Sequence, residues 1–222
     1  MRGIFFVVVV LAAATAWAFR PELAGTATFW VVLGVPYALL ASVAVYRMWR
    51  DGNLLDMLGP RWGDLSIGAL VGATLLVGSW IGRTLLTSDA SARQSWLLRV
   101  YLQLGDADAI QRSLGLTSVI LLLAVCEELV WRGWVLVALD EWLGPRKAPV
   151  IAVVLYVIPL VPTIFLLADP LAGPNPVLVL AGLGCGIVWT YLTFWLRRLP
   201  PVIISHMAFT YFTVAQFRWP WP

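Results

Sequence analysis

A single histidine, His206, and two cysteines, Cys126 and Cys185, are the only imidazole and thiol groups in 222 residues. A zinc site of the His-Glu-x-x-His kind needs two histidines on one helix, so that chemistry is excluded. Both cysteines lie in apolar stretches, where they read as small buried hydrophobes rather than a disulfide framework. No aspartate falls in the interior of a predicted span, which disfavours an aspartyl intramembrane mechanism. Charge is sparse at 12% of residues, and lysine is reduced to Lys147. The net charge of +3 is carried by basic residues that stand singly or in pairs at the ends of apolar runs. They mark topology, and no nucleic-acid surface is expected.

What is abundant is apolar. Hydrophobic residues make up 61% of the chain, mean hydropathy is +0.87, and ordinary soluble domains lie near 45–50% apolar. Thirteen tryptophans suit anchoring at the membrane–water boundary, where the indole body meets lipid and its N–H meets headgroups. The predicted fold is all-α, a polytopic transmembrane bundle with short interfacial helices. Apolar runs at 3–19, 26–46, 64–86, 113–139, 148–168, 175–196 and 202–217 give about seven spans of the ~20-residue length a bilayer requires. The first run carries Ala14, Ala16 and Ala18 at signal-peptidase spacing, but Arg20-Pro21 and the spans that follow favour a retained helix. Gly68, Gly72, Gly78 and Gly82 in the third run, and Gly182 with Gly186 in the sixth, have the spacing of close helix crossings. Residues 87–111 are the most polar part, and Trp96–Leu102 reads as an amphipathic helix on the membrane surface, either a connector or a gate. With the N-terminus inside, Arg2, Arg47, Arg50, Arg61, Arg146, Lys147, Arg197 and Arg198 share the cytoplasmic side, against Arg20, Arg83, Arg93, Arg99, Arg112 and Arg218 outside, a weak bias.

The stretch Cys126-Glu127-Glu128-Leu129-Val130-Trp131-Arg132-Gly133 sets two acids and a base inside a strongly apolar segment. A charge near the bilayer centre costs at least about 2.5–3.5 kcal/mol on insertion scales, so three need a compensating role. On a helix Glu128 and Arg132 are one turn apart and meet, while Glu127 is rotated about 100° away. Glu128 is thus neutralised within its own helix and Glu127 is left free, as a proton acceptor and donor requires. The alternative is that both acids belong to one ion-pair network that only holds helices together. His206, early in the last span, is the imidazole available to such a site, with Thr210 one turn further along the same face. Ser205 points elsewhere.

Glu127-Glu128-x-x-x-Arg132-Gly133 in a long apolar helix, followed by further spans and His206, resembles the CPBP family of intramembrane proteases. This family includes the CAAX endopeptidases and the bacteriocin-processing enzymes. The resemblance covers roughly 112–215 and implies that Glu127 activates water, with histidines of later helices assisting and a His-x-x-x-Asn element stabilising the oxyanion. Two positions depart from the family pattern. Its Phe-x-x-x-His element corresponds here to Tyr156-Val-Ile-Pro-Leu160, and Thr210 stands where the family has Asn.

The resemblance implies a metal-independent, cofactor-free glutamic endopeptidase with Glu127, Glu128, Arg132 and His206 at its centre. Thr210 and Tyr156 are the candidate oxyanion or substrate contacts. N-terminal helices and the interfacial segment (1–111) would precede a catalytic core (112–218) in one integrated membrane domain. The Arg-rich, Lys-poor composition suggests a GC-rich bacterial source, where prenylated tails are not expected. The expected partner is then a membrane-anchored or exported protein in the inner membrane, cleaved at a C-terminal sorting tail as in the myxosortase-like subgroup. Leu160 supports the other reading, a non-catalytic adaptor or immunity protein that binds peptide tails.

Overall fold

The computed structural model describes residues 2–87 and 91–216. The expected exterior Arg218 and the Trp219–Pro222 tail lie outside the described residues. The helices are α1 (Arg2–Ala18), α2 (Ala27–Arg50), α3 (Leu54–Leu58), α4 (Asp64–Leu86), α5 (Gln94–Leu104) and α6 (Ala107–Arg112). They are followed by α7 (Leu114–Leu143), α8 (Ala148–Leu166), α9 (Val177–Leu196) and α10 (Pro200–Tyr211). Among the described residues there is no extended strand, as the sequence leads one to expect.

Five of these helices, α2, α4, α7, α8 and α9, are long and apolar enough to cross a membrane, where the sequence suggests about seven. The difference lies at the two ends. The first helix has 17 residues, and among the described residues the 12 residues of α10 are continued by a π-helical turn, Phe212–Gln216. Helix α1 nevertheless buries one face, Ile4, Val7, Val8, Leu11, Ala14 and Ala18, against α2 and against the 3-10 turn Ile158–Leu160 inside α8. That turn sits where Pro159 and Pro162 remove backbone donors, so α8 bends there and still continues.

The third and the last long elements are seated by glycine. A Cβ on Gly68 would lie 2.7 Å from Cβ of Ile204 and 2.8 Å from the carbonyl of Pro201, and one on Gly72 3.4 Å from the Ser205 carbonyl. Both glycines therefore let α10 lie directly on α4. Gly78 and Gly82 meet nothing within 4 Å, so only half of the expected glycine face is a crossing.

Polar contacts between loops show which helix ends share a side. Arg198 pairs with buried Asp64 at the start of α4, Arg197 with Asp140 at 2.6 Å, and the Leu199 N–H donates to the Met57 carbonyl at 2.8 Å. On the other side the predicted surface helix α5 is fixed. The Asn175 amide donates to the Trp96 carbonyl at 2.9 Å and the Gln103 amide to the Ala18 carbonyl at 2.8 Å. Arg99 meets Asp169 at 3.1 Å, whose carboxyl the N–H groups of Leu171 and Ala172 hold down to about 2. Hydrogen bonds and an ion pair thus hold α5 to the segments beside it.

Candidate active site

Helix α7 is 30 residues long and is not uniform. Over Leu129–Val135 it widens into a π-helix, a rare conformation often found at functional sites. Gly133 lies within the widened part, where an added Cβ would collide with the Met48 methyl and stand 3.2 Å from Leu199. The absent side chain lets α2 and the start of α10 crowd against α7 beside the charged residues.

Arg132 Nη1 donates to Glu128 Oε1 at 3.0 Å, the one-turn pair that helical periodicity predicts. Nδ1 of His206 lies 2.7 Å from the same oxygen. The sequence reading places His206 near the free acid Glu127; α10 brings its Nδ1 onto Glu128 while it stays within electrostatic reach of Glu127. The reason is the seat of α10, which Gly68 and Gly72 set against the Glu128 face of α7. All three side chains are sealed: relative exposure is 0% for Glu128, 1% for Arg132 and 5% for His206. Burying an ion pair is costly unless further groups satisfy it. Here the Arg132 guanidinium lies 4.3 Å above the Tyr156 ring and 5.6 Å from the Trp189 ring, and Nη2 reaches the Gly186 carbonyl at 3.5 Å.

Glu127 faces another way. Its Oε2 accepts from the Tyr156 hydroxyl at 3.4 Å, and the residue keeps partial exposure where Glu128 keeps none. Glu128, Arg132 and His206 remain within electrostatic reach of Glu127. So does Tyr37 of α2, whose hydroxyl accepts from the Trp131 indole at 3.2 Å. Two phenols and the buried Glu128–Arg132–His206 cluster therefore lie within electrostatic reach of one carboxylate. Thr210 gives its carbonyl to Thr213 at 3.3 Å and makes no hydroxyl bond to Glu128 or His206. Among the described residues, no three histidine, cysteine, aspartate or glutamate side chains could together hold a metal ion.

The glycine pair of α9 explains where Tyr156 and Leu160 sit. A Cβ on Gly186 would stand 2.8 Å from Cδ1 of Tyr156, and one on Gly182 would overlap Leu160. Leu160 thus fills a small-residue notch, so the position where a histidine is expected is apolar. Gly186→Val should push the Tyr156 ring off both Arg132 and Glu127 and cost about 1–3 kcal/mol, the usual range for overpacking. Thermal unfolding in detergent checks this; a wild-type midpoint would show that the ring yields freely.

Tyr37, Trp189 and the Asp64–Arg198 pair escape sequence reasoning because each is defined by its neighbour across the bundle. Tyr37, a phenol within an apolar span, is the one with a readable signal. An open apolar groove of about 460 Å³ runs between α2 and α7, lined by Trp30, Gly34, Ala38, Leu116, Val119 and Cys126 among others. It ends one residue before Glu127, on a face about 100° away.

Residues 110–212 match a family model described as type II CAAX prenyl endopeptidase Rce1-like. No curated protein and no solved structure matches the chain.

Proposed function

We propose, from the match of residues 110–212 to the Rce1-like model, that the chain is an intramembrane endopeptidase of the CPBP kind in which Glu127 acts on water. The observation that carries this is the division of the acids. Arg132 and His206 converge on one oxygen of Glu128, while Glu127 retains only a 3.4 Å phenol contact and some exposure. Glu127 takes a proton from water as the water oxygen adds to the scissile carbonyl, and returns it to the amine nitrogen as the C–N bond breaks. The products are a carboxylate and an amine, and a positioned general base of this kind contributes about 10²–10⁴-fold.

With the Nδ1–H of His206 given to Glu128, the carbonyl oxygen is polarised in this reading by an Nε2–H, which the ring carries only as imidazolium, aided by the Thr210 hydroxyl. Tyr156 occupies the ground between Arg132 and Glu127 and serves as the polar group that Leu160 does not supply. The substrate in this reading is a membrane-anchored or exported bacterial protein trimmed near a C-terminal sorting tail, in the inner membrane.

A second reading has one observation in its favour. Leu160 packs into the notch at Gly182, which suits a peptide-tail-binding adaptor that has given up a catalytic imidazole. Comparing membrane proteomes with and without the gene separates the two. The peptidase reading expects a longer precursor to accumulate and to disappear when the wild-type gene is restored. Rescue by a Glu127→Gln gene would favour the adaptor, and no precursor at all would count against cleavage.

A further inference from the structure

We infer that Trp189 is the positioning residue for the catalytic imidazole, holding His206 in a single orientation with its Nδ1–H on Glu128. The proposal takes from the peptidase reading only that His206 is used; the geometry stands without it. The Trp189 and His206 rings are stacked, with centroids 3.9 Å apart and planes inclined by 23°. A flip of the imidazole would remove Nδ1 from Glu128, losing the 2.7 Å contact, and to reach the flipped orientation the ring must turn edge-on to Trp189 and break the stack on the way.

The indole is itself fixed. Its Nε1–H donates to the Ser205 hydroxyl at 3.1 Å, and Phe209 meets it edge-on at 5.9 Å and 78°. Ser205 and Phe209 flank His206 on α10, so the helix that carries the imidazole also grips the ring that restrains it. Arg132 lies toward the same indole at 5.6 Å. Trp189 therefore stacks on one partner of the Glu128 oxygen and stands within cation–π range of the other. Glu128 already accepts from Arg132, and a carboxylate has only lone pairs to offer, so the proton in the His206–Glu128 contact belongs to Nδ1. The orientation leaves Nε2 as the nitrogen free of protein partners among the described residues.

The chain has one histidine, so ¹⁵N-histidine labelling reports this ring alone. In detergent-solubilised full-length protein, the wild type should give one narrow Nδ1–H signal that exchanges slowly with solvent. Trp189→Leu should speed that exchange about three- to tenfold, the factor expected for losing an aromatic pair. Trp189→Phe, which keeps a stacking face, should stay within about twofold of wild type. A folded Trp189→Leu protein with wild-type exchange overturns the proposal. If that variant does not fold, Ser205→Ala decides: it should raise the exchange rate, and a wild-type rate would be equally fatal.

A processed precursor, once in hand, adds a second readout. Trp189→Leu should lower kcat with KM nearly unchanged, and Trp189→Phe should restore most of the loss. Faster ring exchange in a protein for which no precursor accumulates would retire the peptidase reading and leave the positioning role standing.

Discussion

Glu127→Gln should lower peptide turnover by about 10²–10⁴-fold, the contribution of a positioned general base, and leave the protein folded and inserted. The amide has the size of the carboxylate and an oxygen that still accepts from the Tyr156 hydroxyl, and no charged partner is stranded by the change. Loss of activity with an unshifted melting curve therefore isolates proton transfer from architecture. Glu128→Gln is the contrasting variant. It disturbs an oxygen shared by Arg132 and His206, so stability and activity should fall together. Processing of a genuine precursor by Glu127→Gln at the wild-type rate would move the base elsewhere.

The largest effect on stability should come from Arg132→Met. It leaves Glu128, fully buried, with His206 as its only partner, and breaking a buried pair from one side costs about 3–5 kcal/mol. The side chain also gives up the Tyr156 ring at 4.3 Å and the Gly186 carbonyl. Arg132→Lys should rescue little, because an ammonium cannot reproduce a planar group laid on an aromatic face. The double variant Glu128→Gln, Arg132→Met removes the stranded charge and should be more stable than Arg132→Met alone, with a coupling of about 1–3 kcal/mol. Denaturant unfolding of the four proteins in one detergent measures it. Equal stability of the single and double variants would mean that the pair is not the source of the cost.

Local periodicity made much of this legible. The bounds of α4 follow from the apolar run after Gly63-Asp64, and the Glu128–Arg132 contact follows from one helical turn. Helix α7 overran its expected end near residue 139 because Asp140 and Glu141 read as a stop, whereas Asp140 finds Arg197 beyond the next two helices and the turn continues. Which acid meets His206 was not legible, since that depends on the face of α7 that α10 approaches. Gly68 and Gly72 decide the matter, and their spacing announces a crossing without naming the partner. Trp189 gave no signal, because an indole among thirteen acquires its role only from the imidazole beneath it. The expectation of seven spans is matched by five long apolar helices among the described residues, and the two remaining runs lie at the ends of the chain, where the described helices are shorter.

The Glu128–Arg132 pair also bears on how the protein is made. His206 is synthesised 78 residues after Glu128, so α7 must enter the bilayer before its imidazole partner exists. Because the pair closes within one turn of its own helix, α7 is born carrying a neutralised couple and one residual acid rather than three separate charges. The arrival of α10 on Gly68 and Gly72 then brings His206 to the Glu128 oxygen. A chain stopped before residue 200 would carry the Glu128–Arg132 couple at α7 without its imidazole partner.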